Sequence, residues 1–454
     1  MDNDRPDIIE GDPGDPQNSL GHPQWLADRL DWFGDLKFGL FLHWGPYSQW
    51  GCIESWPLVE ADTWARPDDL KPWVERDRDL ERFRRDYWAL NETFDPDGFD
   101  PTVWAEAAQY AGMKYVAFTT KHHDGFCMFD TRTTDYRVTH PDCPFHRSPR
   151  ANVTREVFDA FRALGLGISC YFSKSDWHSP YYWSPDAPAP DRNPNYDTHA
   201  RPELWEKFVG FVHSQIEELM TGYGPIDVLW LDGGQVRPPN QDIRMDEIAH
   251  MSRAYQPGLI IADRTVGGPH ENILTPEQRI PDEPLGQTWE SCLTMGNGWS
   301  YRPEDTYKPA AELIRMLADI VAKGGNLLLN IGPSPRGVLA SKALARLRQI
   351  GDWMAINSQA IHGTRPIKPY AEGEVRYTTK ADDVYAIVLA PQDGSPPPAT
   401  VELSGVQPPA GAEVVLLGTD APLQWALSEG RAIVQMPATD LPCRHAWVIK
   451  FPRP

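Results

Sequence analysis

Seven short apolar runs in the sequence each stop abruptly at polar residues. Near-continuous apolar runs of this length are typical of strands covered on both faces, as in a parallel sheet. In the fourth run the letters VLWL end at Asp232, and two glycines follow. The runs occupy residues 37–45, 115–125, 167–177, 228–234, 259–264, 287–292 and 326–333. Seven strands of this kind restrict the chain to architectures built on a parallel sheet.

Amphipathic helical patterns lie between these runs. The pair Asp100-Pro101 supplies an N-cap and a first helical residue, and Gly112 can end that helix. Further helical patterns cover residues 155–164, 204–220, 308–323 and 339–361. Strands that alternate with helices indicate βαβ units, and seven of them in about 300 residues favour a (β/α)8-like, TIM-type barrel of the α/β class. An eighth strand is not evident, so we expect an irregular barrel.

The character of the sequence changes near residue 364. From there, short β-type runs separated by turn residues predict a small antiparallel β-sandwich. We therefore expect a disordered polar tail over residues 1–20, a catalytic barrel over 21–363 and the sandwich over 364–454. A long insert over 55–95, with one charged helical pattern, follows the first strand, where barrel loops build an active site.

Charge and cysteine usage limit the partners of this chain. The formal net charge is −21, which repels nucleic acid and anionic membranes, so we expect neither as a partner. No apolar run is long enough to cross a membrane, and the first residues lack the pattern of a signal peptide. The six cysteines are scattered, without a CxxC pair. We expect free thiols and a cytoplasmic protein. A bacterial source is a separate expectation.

Residues that carry chemistry collect where the predicted strands end. They are His43, His122, His123, Tyr171, Asp232, Arg264 and Glu290. The carboxyl ends of barrel strands form one face, so we expect these side chains to share a pocket. Two carboxylates in one pocket suggest retaining glycoside hydrolysis, in which one attacks the sugar and the other protonates the leaving oxygen. The 18 Trp and 16 Tyr suit sugar stacking, or they pack the core.

Two other readings exist for the pair His122-His123. A metal site would need both rings on one ion, but adjacent residues of a regular strand point to opposite faces. No HxxxH or HxH pattern supports a metal site. Alternatively, one ring packs inward and the other caps a turn.

Several stretches resemble the α-L-fucosidases of glycoside hydrolase family 29. They are FGLFLHWGPYS, KHHDGF after an apolar strand, WLDGG, GGNLLLNIGPSPRG and WMAINSQAIHGTRP. The resemblance spans roughly residues 20–366, most of the chain, and KHHDGF after a strand is its most specific part. It implies a (β/α)8-like barrel with a C-terminal β-sandwich, a retaining mechanism, and no metal or cofactor.

The resemblance also implies roles for individual residues. The nucleophile falls on Asp232, and the acid/base on Glu290 in the W-E-x-C segment, with Glu54 as its rival and as a sugar contact. Phe172 stands where the family has a serine, after the matching tyrosine. The residues expected to bind the sugar are Phe41, His43, Glu54, Trp56, His122, His123, Tyr171, Trp230, Arg264 and Trp299.

The function predicted from the sequence is exo-acting, retaining hydrolysis of terminal α-L-fucosyl linkages. The substrate would be a fucosylated oligosaccharide or glycoconjugate, and a homo-oligomer is expected from the resemblance. A related retaining glycosidase, for example one acting on α-L-galactosides, is the first alternative. A catalytically silent sugar-binding protein is the second, but it predicts loss of Asp232 or of every candidate acid.

Overall fold

The structure is a computed structural model, and it describes residues 22–66, 79–391, 397–439 and 441–454. Within these ranges the chain forms eight α-helices and fifteen β-strands. The tail predicted for residues 1–20 lies outside the described residues.

A parallel sheet of seven strands forms the first part of the chain, one strand for each apolar run. Its spatial order is β5-β4-β3-β2-β1-β7-β6, so the first strand lies between the second and the last. The strands are β1 (Phe38–Leu42), β2 (Tyr115–Lys121), β3 (Gly167–Ser173), β4 (Val228–Asp232), β5 (Ile260–Asp263), β6 (Glu290–Thr294) and β7 (Asn326–Ile331). The barrel-type parallel sheet expected from the sequence is confirmed.

An irregular segment, residues 270–278, lies between the two edge strands β5 and β6. On one side, the backbone N of Asn272 donates to the carbonyl of Ile261 in β5 at 2.9 Å. On the other, the backbone N of Glu290 donates to the carbonyl of Leu274 at 2.9 Å. Ile273 packs into the same interior cluster as the strands. This segment therefore occupies the eighth position of the barrel without forming a regular strand.

Eight helices accompany the sheet. They are α1 (Gln24–Leu36), α2 (Leu80–Trp88), α3 (Pro101–Tyr110), α4 (Val153–Ala163), α5 (Pro202–Gly222), α6 (Met245–Tyr255), α7 (Ala310–Ala322) and α8 (Ser341–Asn357). The predicted helices are found with shifted ends, whereas α1 and α6 were missed. No helix in the described ranges combines the length and the apolar character needed to span a bilayer.

Helix α1 seals the amino end of the barrel. Its residues Leu26, Leu30 and Phe33 are buried and belong to the interior cluster that the strands form. The ring of Phe33 lies 5.3 Å from that of Tyr115, which projects inward from β2. The opposite, carboxyl end of the barrel is left open for a site.

Two antiparallel sheets form the C-terminal part, as the sequence predicts. The five-stranded sheet has the order β12-β15-β10-β9-β8, and the three-stranded sheet β11-β14-β13. The strands are β8 (Arg365–Glu372), β9 (Val375–Lys380), β10 (Asp383–Leu389), β11 (Thr400–Leu403), β12 (Val415–Leu416), β13 (Trp425–Ser428), β14 (Arg431–Gln435) and β15 (Ala446–Pro452). The indole of Trp353 in α8 donates to the carbonyl of Ala446 at 2.9 Å, which joins the two parts of the chain.

Candidate active site

A cavity of about 300 Å³ opens at the carboxyl ends of the barrel strands. That volume is near the lower end of the roughly 300–1,000 Å³ typical of small-molecule sites, which suits a single sugar ring. Eleven of the twelve residues predicted from the sequence line it. They are Phe41, His43, Glu54, Trp56, His122, His123, Tyr171, Trp230, Asp232, Arg264 and Trp299.

Asp232 is the last residue of β4, and its neighbours hold both carboxylate oxygens. Oδ1 accepts from the backbone N of Gly233 at 2.8 Å and from Nη1 of Arg264 at 3.0 Å. Oδ2 accepts from the hydroxyl of Tyr171 at 2.7 Å, and Nε2 of His123 lies 3.6 Å away. Burial opposes ionisation, but the contacts with Arg264 and His123 outweigh it and hold the pKa of Asp232 well below its usual range. The cavity therefore contains a fixed anion.

Glu277 also lines the cavity, and no pattern in the sequence predicted it. It lies in the irregular segment between β5 and β6, and its Oε2 accepts a hydrogen bond from Nη2 of Arg264. The side chains of Glu277 and Asp232 are 13% and 17% exposed, so both reach the open space. One guanidinium thus binds the carboxyl groups of two residues. The missing eighth strand could have indicated Glu277. A segment that replaces a barrel strand also ends at the carboxyl face, where the cavity lies.

Glu290 does not lie at the cavity, where its place in the sequence predicted it. It is the first residue of β6, not the last, and it does not belong to the residues that line the cavity. Its Oε1 accepts from the indole of Trp230 at 2.8 Å, and its Oε2 accepts from the hydroxyl of Tyr115 at 2.7 Å. The expected position at the end of a strand was wrong, because β6 begins at Glu290 and runs to Thr294, which puts Glu290 inside the barrel below the cavity.

The three predicted histidines meet at the cavity. Strand β2 ends at Lys121, so His122 and His123 lie beyond it and the alternation expected for adjacent strand residues does not apply. Nδ1 of His43 bonds Oδ1 of Asn330 at 2.7 Å. In the described part of the chain, no three His, Cys, Asp or Glu side chains form a group that could hold a metal ion.

Burial keeps two of these histidines neutral. It lowers the pKa of His43 to about 4, against the weaker effect of its bond to Asn330. Burial also lowers the pKa of His122, with the neighbouring His123 acting in the same direction. Because Nδ1 of His43 is the donor to an amide oxygen, its Nε2 is left as an acceptor. A neutral histidine of this kind can accept a hydrogen bond from a sugar hydroxyl.

Aromatic rings form the walls of the cavity. The ring of Trp299 lies 5.1 Å from that of His43 and 6.0 Å from that of Phe41. The ring of Trp230 stacks on that of Tyr171 at 5.2 Å, with 24° between their planes. These rings offer flat apolar faces beside the polar groups, which suits a ligand with both a polar and an apolar side.

Glu54 lines the cavity from the loop after β1. Its Oε1 accepts from the backbone N of Ser300 at 2.7 Å, and the hydroxyl of Ser300 donates to the carbonyl of Cys52 at 2.8 Å. These contacts join the loop after β1 to the loop after β6, which carries Trp299. One function of Glu54 is therefore to fix the position of that wall.

Comparison with known proteins gives consistent matches. Residues 23–359 match the family model for α-L-fucosidase, and residues 368–452 match the model for the α-L-fucosidase C-terminal domain. An α-L-fucosidase of Branchiostoma floridae is 30% identical over 94% of this chain and 95% of its own length. Human plasma α-L-fucosidase is 28% identical over 92% of this chain and 88% of its own.

Solved structures give the same picture. The α-L-fucosidase isoenzyme 1 from Paenibacillus thiaminolyticus superimposes with a TM-score of 0.75 at 30% identity, covering 95% of this chain and 100% of its own. The Thermotoga maritima α-fucosidase in complex with fucose has a TM-score of 0.73 at 26% identity, with 93% and 96% covered.

Proposed function

The chain belongs to the α-L-fucosidase family and is a glycoside hydrolase, and we propose that it removes a terminal α-L-fucosyl residue through an ester on Asp232. The resemblance found in the sequence is thereby confirmed. The observation that carries the proposed chemistry is the position of the Asp232 carboxyl group, fixed between Arg264 and Tyr171 in a cavity sized for one sugar. The substrate is a fucosylated glycan.

Binding of the sugar would use both kinds of group around the cavity. The neutral rings of His43 and His122 accept from or donate to ring hydroxyls, while Phe41 and Trp299 cover the apolar methyl side of fucose. A buried group built to bond a hydroxyl rejects sugars that lack it, because it is left unpaired. The polar groups and the apolar rings would thus select the sugar together.

In the first step, Asp232 attacks the anomeric carbon while the bond to the glycosidic oxygen breaks. We assign the proton donor to Glu277, because it shares Arg264 with the attacking carboxylate. As the ester forms, Asp232 loses its negative charge and Glu277 gains one by giving up its proton. The positive charge of Arg264 then attracts the Glu277 carboxylate alone, and this attraction stabilises the products of the step.

In the second step, water replaces the departed alcohol. The Glu277 carboxylate takes a proton from this water, whose oxygen attacks the anomeric carbon and breaks the bond to Asp232. The sugar leaves with its original configuration, as the retaining scheme requires, in which the two carboxyl groups stand roughly 5–5.5 Å apart. Glu54 is the second candidate for the proton donor, although one of its oxygens already binds the backbone of Ser300.

Kinetics with aryl α-L-fucosides separate these two glutamates. We predict that Glu277→Ala slows a substrate with a poor leaving group roughly 100-fold or more, but affects a highly activated leaving group little at the first step. Added azide should partly restore turnover of the activated substrate by Glu277→Ala, because azide attacks the ester in place of water and needs no base. Glu54→Ala is the matched control and should slow both substrates alike. If the dependence on the leaving group appears in Glu54→Ala instead, the roles are exchanged.

The mode of action and the assembly are the finer features of this proposal. We propose an exo mode of action on oligosaccharides or glycoconjugates, because a cavity of about 300 Å³ admits one sugar ring. A homo-oligomer, a cytoplasmic location and a bacterial source stay predictions.

A further inference from the structure

Glu290 is a buried carboxyl group that the proposed reaction does not use. It is 1% exposed, and two neutral groups donate hydrogen bonds to it, the phenol of Tyr115 and the indole of Trp230. Burial raises its pKa to about 7, against the effect of these two bonds. A carboxyl group in a barrel interior is costly compared with an apolar side chain, so its presence calls for a specific use.

The space around Glu290 is built to admit its partner. A side chain at Gly39 of β1 would lie 2.4 Å from the ring of Tyr115, so glycine there leaves room for the tyrosine inside the barrel. Tyr115 then reaches across to Oε2 of Glu290 at 2.7 Å. With one oxygen bound from below, the other oxygen faces the indole of Trp230. The two oxygens therefore have different donors, and only Oε1 contacts the indole.

Trp230 connects Glu290 to the groups that hold Asp232. Its ring stacks on Tyr171, whose hydroxyl donates to Oδ2 of Asp232 at 2.7 Å. The guanidinium of Arg264, which binds Oδ1 of Asp232, lies 5.4 Å from the centre of the same indole. Rotation of the indole would thus disturb the support of both carboxylate oxygens.

We propose that Glu290 is a positioning residue for hydrolysis: its carboxyl group holds the indole of Trp230, which supports the groups that bind the nucleophile. The proposal rests on the proposed function in that Asp232 is the attacking group. Glu290 itself touches no substrate, because Trp230 lies between it and the cavity. It acts on the rate only through the position of that ring.

Two substitutions at one site separate positioning from proton transfer. Glu290→Gln keeps an oxygen that accepts from the indole and an amide that can donate to Tyr115, so its kcat/KM should stay within about threefold of wild type. Glu290→Leu keeps the volume but leaves the indole N–H unpaired. Its kcat/KM should fall roughly tenfold or more, the order of one buried hydrogen bond, and equally for good and poor leaving groups.

Tyr115→Phe is the matched control at the other oxygen of the same carboxyl group. It removes the donor to Oε2 and leaves the bond to Trp230, so we expect kcat/KM within about twofold of wild type. Wild-type hydrolysis of an aryl α-L-fucoside is measured first. Failure of the proposed function would show there, whereas failure of this inference would show only in the variants.

Two results would overturn the inference. One is a Glu290→Leu enzyme with unchanged kcat/KM. The other is a Glu290→Gln enzyme as slow as Glu290→Leu and slow mainly for poor leaving groups, which would make Glu290 a proton donor. If Glu290→Leu does not fold, β-(3-benzothienyl)alanine at position 230 removes the indole N–H and keeps the ring. That substitution should give the same roughly tenfold loss, and unchanged kcat/KM would contradict the role of the bond.

Discussion

Single residues acquire their chemistry from what surrounds them, and His43 shows this clearly. Its ring is buried, which disfavours the charged form, and its Nδ1 faces a neutral amide oxygen of Asn330 and not a carboxylate. The pKa of His43 is therefore lowered to about 4, and the ring stays neutral above that pH. A positively charged ring could only donate hydrogen bonds. The ability of His43 to accept one from a sugar hydroxyl therefore depends on having the neutral amide of Asn330 as its partner.

Replacing the amide by a carboxylate tests this dependence. Asn330→Asp would place a negative charge 2.7 Å from Nδ1, where the amide oxygen now lies, and raise the pKa of His43 above 4. The sign follows directly: a raised pKa keeps the ring protonated to higher pH. We predict that the acid limb of the kcat/KM profile for an aryl α-L-fucoside moves to higher pH.

Asn330→Ala provides the control for that shift. Asn330 also donates to the carbonyl of Trp299 at 2.6 Å, and both variants lose this contact. Only the aspartate adds charge, so kcat/KM should fall in both variants but the acid limb should move to higher pH in Asn330→Asp alone. The same displacement in Asn330→Ala would mean that loss of the contact, not charge, controls the profile.

At the scale of elements, regular strands were predictable and their irregular neighbour was not. The parallel strands are buried on both faces, so they need apolar residues at nearly every position, and each is visible in the sequence as an apolar run. The segment over 270–278 bonds one strand on each side through backbone groups, which leave no pattern of side chains. Glu277 was missed for that reason, whereas Asp232 was found because an apolar run ends on it.

Glu290 shows the limit of placing strand ends by pattern alone. The run QTWESC looks complete at its cysteine, but the strand starts at Glu290 and continues to Thr294. A shift of a few residues moves a side chain from the open end of a barrel to its interior. Helix α1 was a different kind of omission, since Leu26, Leu30 and Phe33 do have helical spacing.

Helix α1 gives a prediction about stability. Leu30 is 6% exposed and packs into the barrel interior, so Leu30→Ala should lower the free energy of unfolding by about 2–5 kcal/mol. Asp28→Ala, on the exposed side of the same helix, is the control and should change it by less than about 0.5 kcal/mol. Urea unfolding measures both, and equal effects would mean that α1 does not seal the barrel.

At the scale of the whole molecule, the barrel and the antiparallel sheets share apolar packing. Ile387 of β10 and Val448 of β15 belong to the same buried cluster as the barrel helices. Two ion pairs, Arg376 with Asp319 and Arg315 with Glu374, join β9 and its preceding turn to α7. The cavity residues described lie between positions 41 and 299, so the C-terminal sheets contribute stability and no described cavity group.

This shared packing predicts that both parts unfold together. Ile387→Ala removes volume in the cluster shared with the barrel helices, and Val434→Ala removes volume between the two antiparallel sheets. Ile387→Ala should cost about 2–5 kcal/mol, and each variant should lower the temperature of one common calorimetric transition. Two separate transitions, of which Val434→Ala shifts only one, would show that the C-terminal part unfolds independently.

The most direct measurement is to identify the residue that becomes attached to the sugar. The protein is incubated with 2-fluoro-fucosyl fluoride and is then digested and sequenced by mass spectrometry. The fluorine at C2 slows both formation and hydrolysis of the ester, whereas the fluoride leaving group at C1 speeds formation alone, so the ester accumulates. We predict one 2-fluorofucosyl group per chain, carried by Asp232. Attachment at Glu277 or Glu54, or no attachment by an enzyme that hydrolyses fucosides, would contradict the assignment of Asp232 as the nucleophile.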